Sequence, residues 1–406
     1  MIDFLTILAW FVAILSIYVA SYYFLLYFDS VNEEQDRVST PHVTIGISAY
    51  NEERGIYKTL QSLNESIYPK SKIHVVVVDD KSKDNTIKEV KRFQKEHPKL
   101  DVTLLKNSRN KKKAYSLNKV LKMAKTDFLI TMDADSQAAP KAIASLVKYS
   151  KGVSVVTPCV LPSEKNKVLA RIQAIEYIYS NYLSNILSGF DAQIVAPGPF
   201  SLFRVTDLKS IGGFDEKSIA EDLEVVFRLR KKGFKMRLSP TAYVYTDVPQ
   251  TVTALIRQRR RWKAGFLDAV QKHPKSLEPH TEFGRQNMLN ALYHLVPLIL
   301  LFMFIRFAYN SIKPLFDVIR YVGFDPWIYL RTLSFSVDLL AVDMQMVIYT
   351  FFMAAMTLMF LYLASKFQNE RPKFFDTFLF IGIYGMAITT ATLLAIYSWI
   401  KGDYVW

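Results

Sequence analysis

The apolar residues of this chain form long unbroken runs near both ends and shorter runs between them. Residues 4–28 contain no charged side chain, and further apolar stretches lie at about 288–307, 340–364 and 375–399. A helix needs roughly 20 mostly apolar residues to cross the hydrocarbon layer of a bilayer. The pattern therefore predicts about four transmembrane helices, one at the N terminus and about three towards the C terminus.

Short apolar runs in the middle of the chain alternate with helical patterns. Residues 43–48, 73–78, 102–105 and 128–132 are predicted strands, and the second is almost wholly apolar, as expected of a strand covered on both faces. Strands that alternate with helices indicate βαβ units around a mostly parallel sheet. The sequence thus predicts an α/β domain, in which ligands bind beyond the carboxyl ends of the strands.

Two longer helical patterns, at 164–190 and 251–270, mix apolar and polar residues. Both are expected to lie on the membrane surface, in contact with membrane lipids, and to carry the α/β domain. The chain is thereby divided into an N-terminal transmembrane helix (1–28), a cytoplasmic α/β domain (29–250), amphipathic interface helices (251–287) and a C-terminal transmembrane region (288–406).

The charges of the short loops predict the orientation. The loop 365–373 carries three basic residues and one acidic residue, and cytoplasmic loops are enriched in Lys and Arg. This places the α/β domain in the cytoplasm of a multi-pass cell-membrane protein, with both termini outside. The stretch 311–335 is also basic although it would lie outside, so it is expected to lie along the membrane interface.

Composition restricts the partners. The 406 residues carry a formal charge of +14 and include one cysteine, so an intrachain disulfide and a multi-cysteine metal site are excluded. Such a basic chain suits anionic lipids or an anionic substrate such as a nucleoside diphosphate. A nucleic-acid partner is not expected, because no recognised nucleic-acid-binding module accompanies the charge.

Four chemical signals follow one another along the predicted domain. They are Asp79-Asp80, Asp133-Ala134-Asp135, Glu221-Asp222 and the pattern Gln-x-x-Arg-Trp at 258–262. This ordered set resembles the membrane-integrated family 2 glycosyltransferases, such as the hyaluronan, chitin, cellulose and poly-N-acetylglucosamine synthases. The resemblance covers about residues 40–270 and implies a GT-A fold and transfer with inversion at the anomeric carbon.

The resemblance leaves three functions open. The first is transfer from a nucleoside-diphosphate sugar, expected to be a UDP-sugar, to the end of a growing β-linked polysaccharide at the inner membrane face, coupled to export. The second is a single addition to a membrane lipid such as ceramide, diacylglycerol or a polyprenyl phosphate. The third is a non-catalytic receptor for nucleotide or anionic lipid.

A divalent cation, Mg²⁺ or Mn²⁺, is the expected cofactor, since it would neutralise the departing diphosphate. Hard cations take carboxylate oxygens. Asp135, with Asp133 beside it, is the candidate metal site, because residues two apart on an extended strand point the same way. The alternative is a turn whose Asp side chains bond the local backbone.

The acceptor hydroxyl must lose its proton as it attacks, and a carboxylate within hydrogen-bond reach can take it. The resemblance assigns this role to Asp222, with Glu221 as its orienting neighbour. Alternatively, these acids only open a helix at 222–232 and complement its dipole.

The remaining donor contacts are carried over from the family. Asp79 or Asp80 would meet the base or ribose, and Tyr50 and Glu52 would line the same pocket. Lys113 corresponds to the family lysine and would bind phosphate. The residue before it, 112, is lysine where relatives commonly have glycine, and a solvated charge run is the alternative for this segment.

The last motif would close the site. Gln258, Arg261 and Trp262 share one helix face. Arg261 would grip the diphosphate, and the Trp262 indole would seat the acceptor sugar with Gln258. Gly198 and Pro199 resemble a family stretch beside the acceptor end. A plain turn at 198–199, and a membrane-surface helix with an interfacial Trp at 258–262, are the alternatives.

Overall fold

The computed structural model describes residues 4–29, 40–322 and 344–402, which contain one eight-stranded sheet. Its strands are β1 Val43–Ala49, β2 Ile73–Asp79, β3 Asp101–Lys106, β4 Phe128–Asp133, β5 Ser136–Ala138, β6 Val155–Pro162, β7 Phe200–Arg204 and β8 Met236–Thr246. Their order across the sheet is β3-β2-β1-β4-β7-β6-β8-β5.

Helices cover both faces of the sheet and extend beyond it. They are α1 Phe4–Asp29, α2 Ile56–Asn64, α3 Thr86–Glu96, α4 Lys112–Met123, α5 Ala142–Lys148, α6 Val168–Gly189, α7 Val205–Ser210, α8 Glu221–Lys231, α9 Val252–Lys272, α10 Glu282–Val322, α11 Met344–Gln368 and α12 Phe374–Lys401. Helices α2, α3 and α5 pack on one face of the sheet, and α4, α8 and α9 pack on the other.

The first half of the sheet has the predicted parallel order. β1 pairs in parallel with both β2 and β4, and β2 pairs in parallel with β3. Valines on both faces of β2 are fully buried, which accounts for its nearly continuous apolar sequence. The prediction of an α/β domain is confirmed.

The second half of the sheet is mixed, so the predicted mostly parallel arrangement is wrong there. β7 runs antiparallel to β4 and β6, and β5 runs antiparallel to β8. The alternation of strands and helices does not predict whether a strand that follows a long helix will be parallel or antiparallel to its neighbours. β7, which follows α6, is such a strand.

The described residues of the four apolar stretches lie in helices α1, α10, α11 and α12. Helix α10 continues to Val322, so residues 311–322 extend a helix that was expected to end near 307. Residues 323–343, with the rest of the predicted interfacial stretch, lie outside the described residues. Among the described helices, one is long and apolar enough to cross a membrane, Phe374–Lys401, and Trp10–Leu25 is a shorter apolar helix. Four membrane spans therefore stay a prediction.

Helix α6 joins the sheet to the apolar helices. Its residues Ile178, Tyr182 and Ile186 are buried in a cluster that includes side chains of α1, α10 and α11. The bidentate pair between Arg171 and Asp376, with Nε to Oδ2 at 2.8 Å, fixes the start of α12 to α6. The loop 365–373 therefore lies next to α6, and its cytoplasmic position stays a prediction.

Candidate active site

Three neighbouring parallel strands bring their carboxyl ends to one edge of the sheet. Ala49 at the end of β1 lies opposite Asp79 at the end of β2, and Ser48 lies opposite Asp133 at the end of β4. The loops after these strands therefore meet at this edge. The prediction that both acidic motifs fall at the carboxyl ends of parallel strands is confirmed.

Asp80 is buried behind this edge and holds the lysine-rich loop. Its carboxylate accepts the backbone N–H groups of Lys111 at 2.9 Å and Lys112 at 2.7 Å, and the side-chain amide of Asn107 at 2.8 Å. Lys112 has a left-handed backbone conformation with φ 68°, which costs a residue with a Cβ about 1–2 kcal/mol. Asp80 thus stabilises the start of α4, and its contact with a nucleotide stays a prediction.

The loop after β1 is hydrogen-bonded to the loop after β2. The Asn51 N–H donates to Ser82 Oγ at 3.0 Å, and Asn51 Oδ1 accepts from the Lys83 N–H at 2.8 Å. Tyr50 is exposed on this pair of loops, whereas the Asp79 side chain is buried and accepts from the Ser82 N–H at 3.3 Å. Tyr50 and Asp79, two of the residues predicted to meet the base and ribose, therefore lie on adjoining loops.

Lys113 lies at the centre of a charged cluster. Its Nζ pairs with the Asp133 carboxylate and lies 3.3 Å from Glu221 Oε1. Burial alone would lower the pKa of Lys113, but Asp133, Glu221 and Asp222 hold it above its ordinary value. Gly198 packs against this pair: a Cβ there would lie 2.5 Å from Lys113 Nζ. Any side chain at position 198 would displace the lysine.

The acidic turn after β4 differs from its predicted form. β4 ends at Asp133, and Ala134 and Asp135 form a turn, so the two carboxylates do not share a strand face. The turn packs on the start of α2, where Thr59 Oγ1 donates to the Ala134 carbonyl at 2.8 Å. A Cβ on Gly55 would lie 2.8 Å from that carbonyl oxygen, so this close approach requires glycine.

Carboxylates crowd around this turn. Asp247 follows β8 and lies beside Asp135, because β5 and β8 are paired there. Burial raises the pKa of Asp135 to about 6, and the charges of Asp133 and Asp247 add to the shift. Burial, followed by Asp135, Asp133 and Asp247, raises the pKa of Glu52 to about 7. Sequence analysis missed Asp247, although it follows the end of a strand as the other acids do.

The carboxylate oxygens of the acidic turn are suitable ligands for a hard divalent cation. Among the residues that the structure describes, no three His, Cys, Asp or Glu side chains are grouped to hold a metal ion. Mg²⁺, however, is commonly held by one or two carboxylates, with phosphate oxygens and water completing its shell. Asp135 and Asp133 offer such oxygens, and the neighbouring carboxylates of Asp133 and Asp247 add a negative potential at Asp135 that favours a cation.

Asp222 lies in the first turn of α8, beside the Lys113 cluster. Burial and then the charge of Glu221 raise the pKa of Asp222 to about 6, while Lys113 and Arg261 act in the opposite direction. A carboxylate with a pKa near the working pH is suited to accept a proton. The loop before β7 packs against it, since the Ala196 N–H donates to the Asp222 carbonyl at 3.2 Å.

Helix α9 approaches α8 closely at one point. A Cβ on Gly265 would lie 2.5 Å from the Ala220 Cβ, so the two helices meet where α8 begins. This contact brings Arg261 within electrostatic reach of Asp222. The predicted face of α9 is therefore turned towards the acidic start of α8, and the helix is covered by protein rather than lying only on a membrane surface.

The two other residues of the Gln-x-x-Arg-Trp motif contact an arginine that sequence analysis did not single out. Gln258 Oε1 accepts a hydrogen bond from Arg259 Nη1, and the Arg259 guanidinium lies 4.1 Å from the centroid of the Trp262 ring. Arg259 itself is 2% exposed. Acceptor contacts by Gln258 and Trp262 stay predictions.

Most of the predicted site residues converge. One charged cluster and its immediate surroundings contain Glu52, Lys113, Asp133, Asp135, Gly198, Glu221, Asp222 and Arg261. Pro199 is partly buried next to Gly198, where β7 begins. Tyr50 and Asp79 lie on the adjoining loops, whereas Asp80 is directed to the chain's own N–H groups.

Known proteins resemble this chain over the α/β domain and the Gln-x-x-Arg-Trp helix. The model of the family described as "Glycosyltransferase like family 2" matches residues 41–265, more than half of the chain. The poly-beta-1,6-N-acetyl-D-glucosamine synthase of Staphylococcus aureus is 30% identical over 229 residues, 55% of this chain and 54% of that protein. The Staphylococcus epidermidis enzyme of the same name is 31% identical over 225 residues, 54% and 53% respectively. The chain spans about half the length of these relatives.

A solved structure supports the same fold. The mannosyltransferase PcManGT from Pyrobaculum calidifontis, in complex with GDP-Man and Mn²⁺, superposes with a TM-score of 0.59, covering 88% of this chain and 98% of that one at 22% identity. The predicted GT-A type of α/β fold is thereby confirmed. Because the family match covers both the acidic cluster and the Gln-x-x-Arg-Trp helix, the chain belongs to the glycosyltransferase-like family 2.

Proposed function

We propose that this protein is an inverting glycosyltransferase that moves a sugar from a nucleoside-diphosphate sugar to the end of a growing β-linked polysaccharide. The observation that carries the proposal is the position of Asp222. Its carboxylate, with a pKa of about 6, lies beside a lysine and an arginine suited to phosphate and close to the acidic cluster. A proton acceptor and a diphosphate-binding cluster are the two parts that such a transfer needs.

The reaction is a single in-line displacement. An acceptor hydroxyl gives its proton to the Asp222 carboxylate as its oxygen attacks the anomeric carbon of the donor. The bond between that carbon and the diphosphate oxygen breaks, and the nucleoside diphosphate leaves with the electron pair. Because the attack comes from the opposite face, the configuration at the anomeric carbon is inverted. Glu221, paired with Lys113 at 3.3 Å, orients this end of the site.

Lys113 and Arg261 bind the diphosphate. Lys113 acts as a point charge, and the Arg261 guanidinium can donate two parallel hydrogen bonds. Asp135, with Asp133, would hold Mg²⁺ or Mn²⁺, which would supply positive charge opposite the departing phosphates. The solved relative with Mn²⁺ and GDP-Man agrees with a metal and a nucleotide sugar. Tyr50 and Asp79 receive the base and ribose.

The acceptor approaches from the side of α9. Trp262 offers a flat apolar face to a sugar ring, and Gln258 and the loop at Gly198 and Pro199 border the same end of the site. A polysaccharide acceptor is supported by the similarity to two poly-beta-1,6-N-acetyl-D-glucosamine synthases, and UDP-N-acetylglucosamine is accordingly the first donor to test. A single addition to a membrane lipid is the competing outcome.

The enzyme works at a membrane with its α/β domain in the cytoplasm and exports the product through its apolar helices. Large apolar side chains along α12 are exposed, including Phe374 (89%) and Ile400 (72%). Such a surface is unfavourable in water and is expected where a helix faces lipid. Contact with membrane lipids follows from this arrangement.

The decisive experiment uses the full chain, purified in lipid nanodiscs with Mn²⁺ or Mg²⁺. Radiolabelled UDP-N-acetylglucosamine, UDP-glucose, UDP-glucuronate and GDP-mannose are supplied in turn, and the product is sized. Long labelled polymer supports the proposal, and one sugar on an extractable lipid supports the lipid acceptor. If all four donors remain intact while they bind, the receptor hypothesis replaces both. The matched control is Asp222→Asn, which is expected to bind donor without transferring it.

A further inference from the structure

An ion pair between a buried arginine and a partly buried glutamate connects the Gln-x-x-Arg-Trp helix with two distant parts of the chain. Arg259 of α9 donates from Nε to Glu176 Oε1 of α6 at 3.0 Å, and its Nη2 pairs with Glu176 Oε2. Tyr384 of α12 donates to the same Oε2 at 2.6 Å, and Arg259 Nη2 donates to the Tyr384 oxygen at 3.3 Å. We call these three residues the Arg259 node.

The node is a three-way junction between helices. Tyr384 is the last residue of a π-helical turn, Phe380–Tyr384, inside the apolar helix α12. Such turns shift the face that a helix presents and often occur at functional sites. Here the π-helical turn directs the Tyr384 phenol to the ion pair, while residues 381–383 of the same turn are exposed. The node thus joins the α/β domain to α12 through α9.

Arg259 also contacts two residues of the proposed acceptor end. Its Nη1 donates to Gln258 Oε1, and its guanidinium covers the Trp262 ring at 4.1 Å from the centroid. A planar guanidinium held by a bidentate carboxylate has little rotational freedom. Two side chains that a sugar acceptor would meet therefore rest on a group fixed by α6 and α12.

The node also adjoins the acidic turn. Tyr177, next to Glu176 on α6, lies within electrostatic reach of Arg259 and of Asp135, since both charges act on its phenol.

We propose that Arg259 is a positioning residue: clamped by Glu176 and Tyr384, it fixes Gln258 and Trp262 for the acceptor sugar. The inference rests on the proposed function and adds that the acceptor end is set by the packing of α12 against the domain. Arg259 does not touch the reacting atoms. Its loss acts through the two residues it holds, so the affinity for acceptor changes more than the affinity for donor.

The test compares KM values for acceptor and donor in nanodiscs, with UDP-N-acetylglucosamine as donor and a β-linked N-acetylglucosamine oligosaccharide as acceptor. Arg259→Met is expected to raise the acceptor KM about tenfold, because small displacements of binding groups are costly, while the donor KM stays within about twofold. Arg259→Lys keeps the positive charge but loses the planar guanidinium with its paired N–H donors, and it gives an intermediate acceptor KM. Arg257→Met, an exposed arginine on the same helix, is the control and leaves both KM values unchanged.

A double variant separates positioning from simple stability. Arg259→Met leaves the Glu176 carboxylate, which is 26% exposed, without its cationic partner and lowers Tm. Arg259→Met with Glu176→Met removes that unpaired charge and restores Tm. The proposal requires the acceptor KM to stay raised in the double variant. An acceptor KM that returns to the wild-type value together with Tm would overturn it, as would equal rises in the donor and acceptor KM. Absence of transfer by the wild-type chain with every donor would instead remove the proposed function, and this inference with it.

Discussion

Asp80→Asn tests whether the Asp80 carboxylate stabilises the fold or binds the nucleotide of the donor. The Asp80 carboxylate accepts from the Lys111 and Lys112 backbone N–H groups, at 2.9 and 2.7 Å, and from the Asn107 amide at 2.8 Å. An asparagine amide replaces one acceptor oxygen by a donor group. In either orientation of the amide, at least one buried N–H donor then faces another donor.

The size of the effect follows from these contacts. A hydrogen bond to a charged acceptor contributes about 1.5–3 kcal/mol, and an orphaned buried donor costs about 1–3 kcal/mol. The remaining bonds become neutral and weaker. Asp80→Asn is therefore expected to lower the free energy of unfolding by about 2–3 kcal/mol, and Tm by about 5–10 °C for a domain of this size.

The loop provides an internal check. Lys112 is held at φ 68°, so Lys112→Gly in the Asp80→Asn background relieves about 1 kcal/mol of backbone strain and recovers part of the lost Tm. Asp101→Asn is the matched control, since that side chain is 70% exposed; it is expected to change stability by less than about 0.5 kcal/mol.

The assay measures thermal unfolding of the detergent-solubilised chain and donor affinity by calorimetry. A lower Tm with a secondary loss of donor affinity, both partly recovered by Lys112→Gly, supports the structural role. Donor affinity that falls more than tenfold at an unchanged Tm would refute the reasoning, because it would mean that Asp80 binds the nucleotide directly.

Three further outcomes follow from the site. Asp222→Asn is expected to lower kcat by at least about a thousandfold while the donor Kd stays unchanged. In the wild type, kcat/KM is expected to fall as the pH drops through about 6, because Asp222 then takes up a proton. A normal kcat in the variant would exclude Asp222 as the base. Asp135→Asn is expected to abolish the rise of Tm that Mn²⁺ causes. In the wild type that rise is expected to be smaller at pH 5 than at pH 7.5, because protonated Asp135 binds metal poorly. Equal effects of Mn²⁺ on Tm at both pH values would contradict the assignment of Asp135 as a metal ligand. Gly198→Ala, whose Cβ would lie 2.5 Å from Lys113 Nζ, is expected to raise the donor KM about tenfold. An unchanged donor KM would contradict a role for this position of the Lys113 ammonium group in donor binding.

Sequence patterns located the strands that carry the site. β1, β2 and β4 were predicted to within one or two residues, because short β-branched runs bounded by polar residues are local signals. The position of the acids at strand ends followed from the same signals. The prediction that Asp133 and Asp135 share a strand face was wrong, because the strand ends at Asp133 and a tight turn follows.

The electrostatics of the site were not visible in the sequence. Asp247 joins Asp135 only because β8 returns beside β5, and that pairing brings together residues more than a hundred positions apart. The raised pKa values of Glu52 and Asp222 arise from burial among such neighbours. Burial depends on how the loops close over the sheet, which no local pattern encodes.

The sequence by itself determined the kinds of element, their order and the chemical groups available, because periodicity and motif spacing act over a few residues. The tertiary structure decided which groups meet. Arg259 finds Glu176 and Tyr384 across 83 and 125 positions of sequence separation, and Asp80 turns to the chain's own N–H groups. Such contacts depend on the packing of whole helices and strands. That packing is set by many weak interactions together and not by the few residues that form the contact.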